Sequence, residues 1–309
     1  MRTVGPPSLP SVASELMTRS PLRVSPDDRL ELADAVMKRL GVHHLPVVQE
    51  GRLVGMLSLR DVLAAGLSVH RSDESQRQRL LHATRVGQVM STPVVSVTPA
   101  TGVVTVAETL LRRRFSSLTV VDGEELVGII TETDLVRLAG DMLHREGMLL
   151  DSPPRVRRLM TPRPLFTAKL GDHLDVADVL MKHERFRHLP VVDERDRLIG
   201  MLSDRDVLGA MRSRLEAMTP AERLCDKASV AVADAMHPSP PATAPDALAE
   251  DAMYLMLRRR LDALPVVERG RLVGVLTTTD VLPYVAGCAD RPGACAGVGA
   301  GLAARPSLL

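Results

Sequence analysis

Four times along this 309-residue chain a hydroxyl side chain stands three positions ahead of a carboxylate: Ser58 and Asp61, Thr131 and Asp134, Ser203 and Asp206, Thr277 and Asp280. At the start of a helix that spacing can serve a ligand. The hydroxyl, beside unpaired backbone N–H groups and the positive end of the helix dipole, suits a phosphate. The carboxylate one turn on can accept hydrogen bonds from both hydroxyls of a ribose. The same pair also works as a plain helix cap, worth about 1 kcal/mol with no ligand at all. Basic neighbours divide the copies into two kinds. Arg60 and Arg205 lie inside the first and third motifs, and His44 and His188 stand just ahead of the strands that precede them; the second and fourth motifs read Thr-x-Thr-Asp instead, with the triplets Arg112–Arg114 and Arg258–Arg260 upstream.

Each motif closes a longer repeat. A copy opens on a Met (Met17, Met90, Met160, Met236), crosses an amphipathic stretch, and reaches a Leu-Pro-Val-Val segment at Leu45, Leu118, Leu189 and Leu264, with Thr119 in place of Pro in the second copy. It then passes a Gly (Gly55, Gly128, Gly200, Gly274) into the motif. The opening Met and the closing Asp are 44 positions apart in copies one, two and four and 46 in copy three. Such self-similarity sets the architecture. Apolar residues at helical spacing (Leu30, Ala33 and Met37 and their equivalents) predict one helix per copy. The β-branched segment and the Leu-Val-Gly run after a tight turn predict a hairpin, and the hydroxyl–carboxylate pair opens a second helix. The fold class is therefore α/β (α+β): four units, each a three-stranded sheet with helices on one face.

A unit of this size buries too little to stand alone, so units should pair sheet against sheet. The connectors indicate which. Asp61 to Met90 is 29 positions and Asp206 to Met236 is 30, both with polar, helix-forming inserts (72–79 and 212–218), whereas Asp134 to Met160 is 26 and contains Asp151-Ser152-Pro153-Pro154, a boundary signal. The expected organisation is repeat one over 12–66 with repeat two over 85–140, and repeat three over 155–211 with repeat four over 229–285. A tail of 1–11 precedes them, and a Gly/Ala/Pro-rich, flexible tail of 286–309 follows.

Composition narrows the function. With 39 basic against 38 acidic residues, no global field favours nucleic acid or an anionic membrane. No apolar run reaches the 18 or so residues of a membrane span, the first residues lack a signal-peptide core, and three Cys make neither a disulfide framework nor a zinc site, so a cytoplasmic protein is expected. Aromatic residues are 2% of the chain with no Trp, so a ligand would be held by aliphatic side chains and backbone. His43-His44 comes without a Cys or carboxylate set at ligand spacing, and no metal is read there.

The combination of opening Met, Leu-Pro-Val-Val and Gly-h-h-[Ser/Thr]-x-x-Asp, repeated over about residues 12–285, resembles the CBS domain, two of which form a Bateman module. The resemblance implies two pseudo-symmetric modules, copies one with two and three with four, whose clefts commonly take adenosine-containing ligands such as AMP, ADP, ATP or S-adenosylmethionine. By that resemblance Ser58, Thr131, Ser203 and Thr277 would meet phosphate or ribose oxygens, Asp61, Asp134, Asp206 and Asp280 the ribose hydroxyls, and His44, His188, Arg60 and Arg205 the ligand phosphates. The segments after each opening Met, such as Thr18 to Val24 and Thr161 to Thr167, would line the adenine. Copy four departs here: the prolines of Met236-His237-Pro238-Ser239-Pro240-Pro241 remove backbone donors, which favours the odd-numbered copies as sites.

The functional expectation is a non-catalytic sensor that needs no cofactor, takes such a molecule as a regulatory ligand, and signals to a protein partner or a second copy of itself. The alternative is a ligand-independent scaffold. An enzyme is disfavoured: a catalytic (β/α)8 barrel needs about 200 residues or more outside the repeats, and no P-loop, nucleophile elbow or G-x-G-x-x-G run occurs.

Overall fold

The computed structural model describes residues 8–67, 74–147, 153–217 and 230–288. The tail beyond Cys288 and the outer ends of the two polar inserts, on which sequence expectations were placed, lie outside these residues. Each copy contains the expected helix, hairpin and second helix. Copy one has Leu30–Leu40, strands His44–Gln49 and Arg52–Ser58, and Leu59–Leu67; copy two has Val103–Arg113, Ser117–Asp122, Glu125–Thr131 and Glu132–Gly147. Copy three has Leu174–Glu184, His188–Val192, Leu198–Ser203 and Asp204–Ala217; copy four has Ala249–Arg259, Ala263–Glu268, Arg271–Thr277 and Thr278–Cys288. The third strand of each unit is short and parallel: Ser96–Val97 along Ser117–Asp122, and single bridges Val24–Val47, Ala168–Val191 and Thr243–Val266 in the others.

The segment around each opening Met does not stay with its own copy. Thr18–Arg19 pairs with Ile129 and Gly128 of copy two, Ser91 bridges Met56 of copy one, Thr161–Pro162 pairs with copy four, and His237–Pro238 with copy three. The repeat's Met and Gly explain the exchange. A Cβ added at Gly55, Gly128, Gly200 or Gly274 would collide with the sulfur of Met90, Met17, Met236 or Met160 respectively, so each Met seats on the bare backbone of its partner repeat. Ala13, Val86, Val156 and Val232, just ahead of those methionines, are fully buried in the partner's core. The hairpins of copies one and two meet edge to edge where Arg52 lies opposite Glu125, making module one a six-stranded sheet where the sequence suggested two sheets stacked face to face.

Helices then bring the modules together within one chain. Helix Glu132–Gly147 packs on Ala249–Arg259 and on Thr278–Cys288, which also packs on Val103–Arg113, so copies two and four meet. Copy two's core extends across the seam, with Leu110, Leu135 and Leu143 clustered with Met253, Val281 and Val285, while Met256, Leu264 and Leu276 form copy four's own core. Copies one and three meet through Leu59–Leu67 and Asp204–Ala217, yet each keeps a separate core.

Candidate functional site

All four motifs make the same cap. The backbone N–H and the hydroxyl of Ser58 donate to Asp61 Oδ2 at 2.8 and 2.7 Å, and Thr131, Ser203 and Thr277 repeat this on Asp134, Asp206 and Asp280 at 2.6–2.8 Å. The residue after the hydroxyl is tied back to the strand entry in every copy: Leu59, Glu132, Asp204 and Thr278 N–H groups donate to the carbonyls of His43, Ser116, Arg187 and Asp262. Capping thus occupies one carboxylate oxygen. The copies differ in what meets the other.

In copy three, His237 Nε2 donates to Asp206 Oδ1 at 3.0 Å, from the position that is Thr18, Ser91 and Thr161 in the other copies. In copy four, Thr161 Oγ1 donates to Asp280 Oδ1 at 2.9 Å, and burial pushes that carboxyl above its usual range against the pull of its hydrogen bonds. In copy two, Arg137 lies 3.8 Å from Asp134 Oδ1. Among the described residues nothing is bonded to Asp61 Oδ1, and Asp61 lines a cavity of about 300 Å³. The two odd copies, alike in sequence, are therefore unlike in structure.

That cavity draws on three repeats. Ser58, Arg60 and Asp61 come from copy one with His43 and His44; Ser91 to Val95 and Arg114 to Ser117 come from copy two; Arg187 and Arg205 reach in from copy three. The segment after the Met that lines it is copy two's, as the strand exchange requires. His44 Nε2 and Ser116 Oγ are 2.9 Å apart. Burial, then Arg205, His43 and Arg187, push His44 down to about 4; His188 is also pushed down to about 4, by burial above all. Both rings are neutral at pH 7. Burial and the charges of Arg187 and Arg205 likewise lower Arg60.

The arginines are held by carboxylates of other copies. Arg60 pairs with Asp204, Arg205 Nη1 donates to Asp262 Oδ2 at 3.0 Å, and Arg187 Nη2 donates to both oxygens of Glu132 at 3.1 and 3.0 Å. Glu132 is buried, 7% exposed, and also accepts from Thr278 Oγ1 at 3.0 Å and Thr279 Oγ1 at 3.4 Å. So Ser58, Asp61, Arg60, His44 and Arg205 converge on one cavity. Thr131, Asp134, Ser203, Asp206, His188, Thr277 and Asp280 stand at equivalent places that do not line it.

The sequence marks Arg187 only as the neighbour of His188 and Arg114 only as the end of a basic triplet that reads first as a solvated helix end and second as reaching a neighbouring site's phosphates, and it does not single out Glu132. Arg114 carried a signal: it ends its helix in the left-handed conformation, φ 55°, where copy one has Gly41 at φ 63°. A side chain there costs about 1 kcal/mol or more relative to Gly, and Arg185 and Arg260 do the same in copies three and four. No group of three or more His, Cys, Asp or Glu among the described residues is arranged to hold a metal, and none of the described helices is long and apolar enough to cross a membrane.

Comparison with known proteins agrees with this architecture. An uncharacterised protein of Methanocaldococcus jannaschii, MJ1404, is 28% identical over 278 residues, which are 88% of this chain and 61% of that protein; this chain thus spans under two thirds of its relative's length. YhcV of Bacillus subtilis, a CBS domain-containing protein, is 31% identical over 125 residues, 40% of this chain and 83% of its own. The crystal structure of protein MJ1225 of M. jannaschii superposes with a TM-score of 0.70 at 22% identity, covering 88% of this chain and 99% of that one. The CBS domain family model matches residues 13–68, 86–141, 156–213 and 232–287, so the chain belongs to the CBS domain family, with four CBS domains in two tandem modules.

Proposed function

We propose that this chain is a regulatory sensor that binds one adenosine-containing molecule, such as AMP, ADP, ATP or S-adenosylmethionine, in the cleft of copy one and signals the binding to a partner protein or a second copy of itself. The observation that carries the reading is the one carboxylate oxygen of the four motifs left free of a close partner among the described residues, Asp61 Oδ1, facing the cavity beside the Ser58 hydroxyl. A ribose diol completes that carboxylate, Pro93, Val94, Val95 and Phe115 offer an apolar wall to a base, and Ser58 and the arginines face the remainder. The ligand acts as an effector.

Thermal unfolding of the full chain with adenosine, AMP, ADP, ATP and S-adenosylmethionine tests this, because a ligand at a hundred times its Kd adds about 2.7 kcal/mol to stability. At least one should raise the Tm by several degrees. No shift with any at millimolar concentration overturns the reading. The scaffold alternative has its own support, since Asp206 and Asp280 are satisfied from within the protein and copies two and four share a core with no ligand. It predicts that Asp61→Ala changes neither oligomeric state nor partner binding.

A further inference from the structure

Arg187 has two faces. One lines the copy-one cavity; the other is bonded to Glu132, which stands at the start of helix Glu132–Gly147 where the other copies have Leu59, Asp204 and Thr278. Four arginines (60, 114, 187 and 205) and one carboxylate, Asp61, line the cavity, with the neutral His44 among them. Such a lining favours an anionic ligand end and disfavours the sulfonium and ammonium of S-adenosylmethionine. We propose that the cleft takes a phosphorylated nucleoside, and that Glu132 is a built-in competitor for its phosphate, holding Arg187 until the ligand draws it away.

The inference rests on the nucleotide reading above and adds a direction of coupling. Arg187 meets both oxygens of Glu132 through Nη2 alone, so a phosphate that turns the guanidinium into a bidentate pair of its own draws Nη2 off the carboxylate. When phosphate takes Arg187, the buried Glu132 loses its counter-charge and keeps only the hydroxyls of Thr278 and Thr279, which open the last helix of copy four. An unpaired buried carboxylate is costly, so filling the cleft strains the seam between copies two and four. That link makes the seam between copies two and four respond to a ligand in the copy-one cleft, through differential contacts in the two states.

Calorimetric titration of the full chain with AMP and with adenosine decides it. Wild type should prefer AMP. Glu132→Gln keeps an acceptor for one of the threonine hydroxyls but removes the charge that holds Arg187, so it should tighten AMP by about fivefold and leave adenosine within about twofold. Arg187→Ala should bring AMP down toward adenosine, and it carries the decision alone should Glu132→Gln fail to fold. Unchanged or weaker AMP binding in Glu132→Gln, or an unchanged AMP-to-adenosine ratio in Arg187→Ala, overturns the proposal. Wild type binding both ligands equally well overturns it while the nucleotide reading stands, and wild type binding neither removes both.

Discussion

The two seams that join the modules are built from equivalent helices but opposite chemistry. At one register position of the first helix, copies two and four carry Ala107 and Met253, both fully buried in a common core; copies one and three carry Asp34 and Asp178. One step further, Tyr254 of copy four lies against Gly140 of copy two and donates to Asp141, whereas Val179 of copy three is 65% exposed. The two carboxylates pair along their own helices, Asp34 with Lys38 and Asp178 with Lys182, and copies one and three keep separate interiors. The space between is left to arginines, histidines and a cavity. The seam between copies two and four is apolar and uses both helices of each copy, whereas that between one and three rests on the second helices alone beside charged groups, and one helical position displays the contrast.

The sharpest way to break this contrast is to charge the apolar seam. Met253→Asp should cost about 4 kcal/mol or more in chemical denaturation, because an unpaired carboxylate would enter a fully buried site. Its mirror, Asp178→Met, should stay within about 1 kcal/mol of wild type. Acid acts on the charged seam next. His44 and His188 are held near 4 when folded against about 6.5 unfolded, so they contribute stability above pH 6.5 that is lost as pH falls through the folded value. The unfolded chain binds more protons in that window, and the loss between pH 7 and 4.5 should be on the order of 2 kcal/mol for each histidine. Replacing both with Gln should flatten that part of the stability profile.

Substitutions in the caps sharpen the contrast further. Asp61→Asn and Asp280→Asn should each cost about 1 kcal/mol in capping, measured by thermal unfolding, but only Asp61→Asn should abolish the nucleotide-induced Tm shift. The smallest stability effect belongs to Arg114→Gly. It relieves a left-handed backbone and should raise stability by up to about 1 kcal/mol while weakening AMP, a gain and a loss in one variant.

Much of this was legible in the residues. The helix, the hairpin and the capped second helix of each copy follow from periodicity and from the hydroxyl–carboxylate spacing, and His44, Arg60 and Arg205 do meet at one cavity. What could not be read is which copy each segment serves. Met17 and Gly128 are both conspicuous in the repeat, yet nothing local says that a Met seats on the glycine of the next copy, since that contact is set by tertiary packing. The same exchange delivers Ser91–Val95 to the copy-one cavity and His237 to Asp206, so two motifs with the same Ser-x-Arg-Asp pattern part ways through a residue thirty-one positions downstream of one of them. Nothing in the sequence singles out Glu132, because its partner Arg187 lies 55 positions away in the other module.

Calorimetric titration of AMP into wild type, Asp61→Asn and Asp206→Asn asks most directly whether copy one holds the competent cleft. One molecule bound per chain, lost in Asp61→Asn and retained in Asp206→Asn, is the expected result. Two or more equivalent sites, or binding that survives Asp61→Asn and disappears in Asp206→Asn, would contradict it.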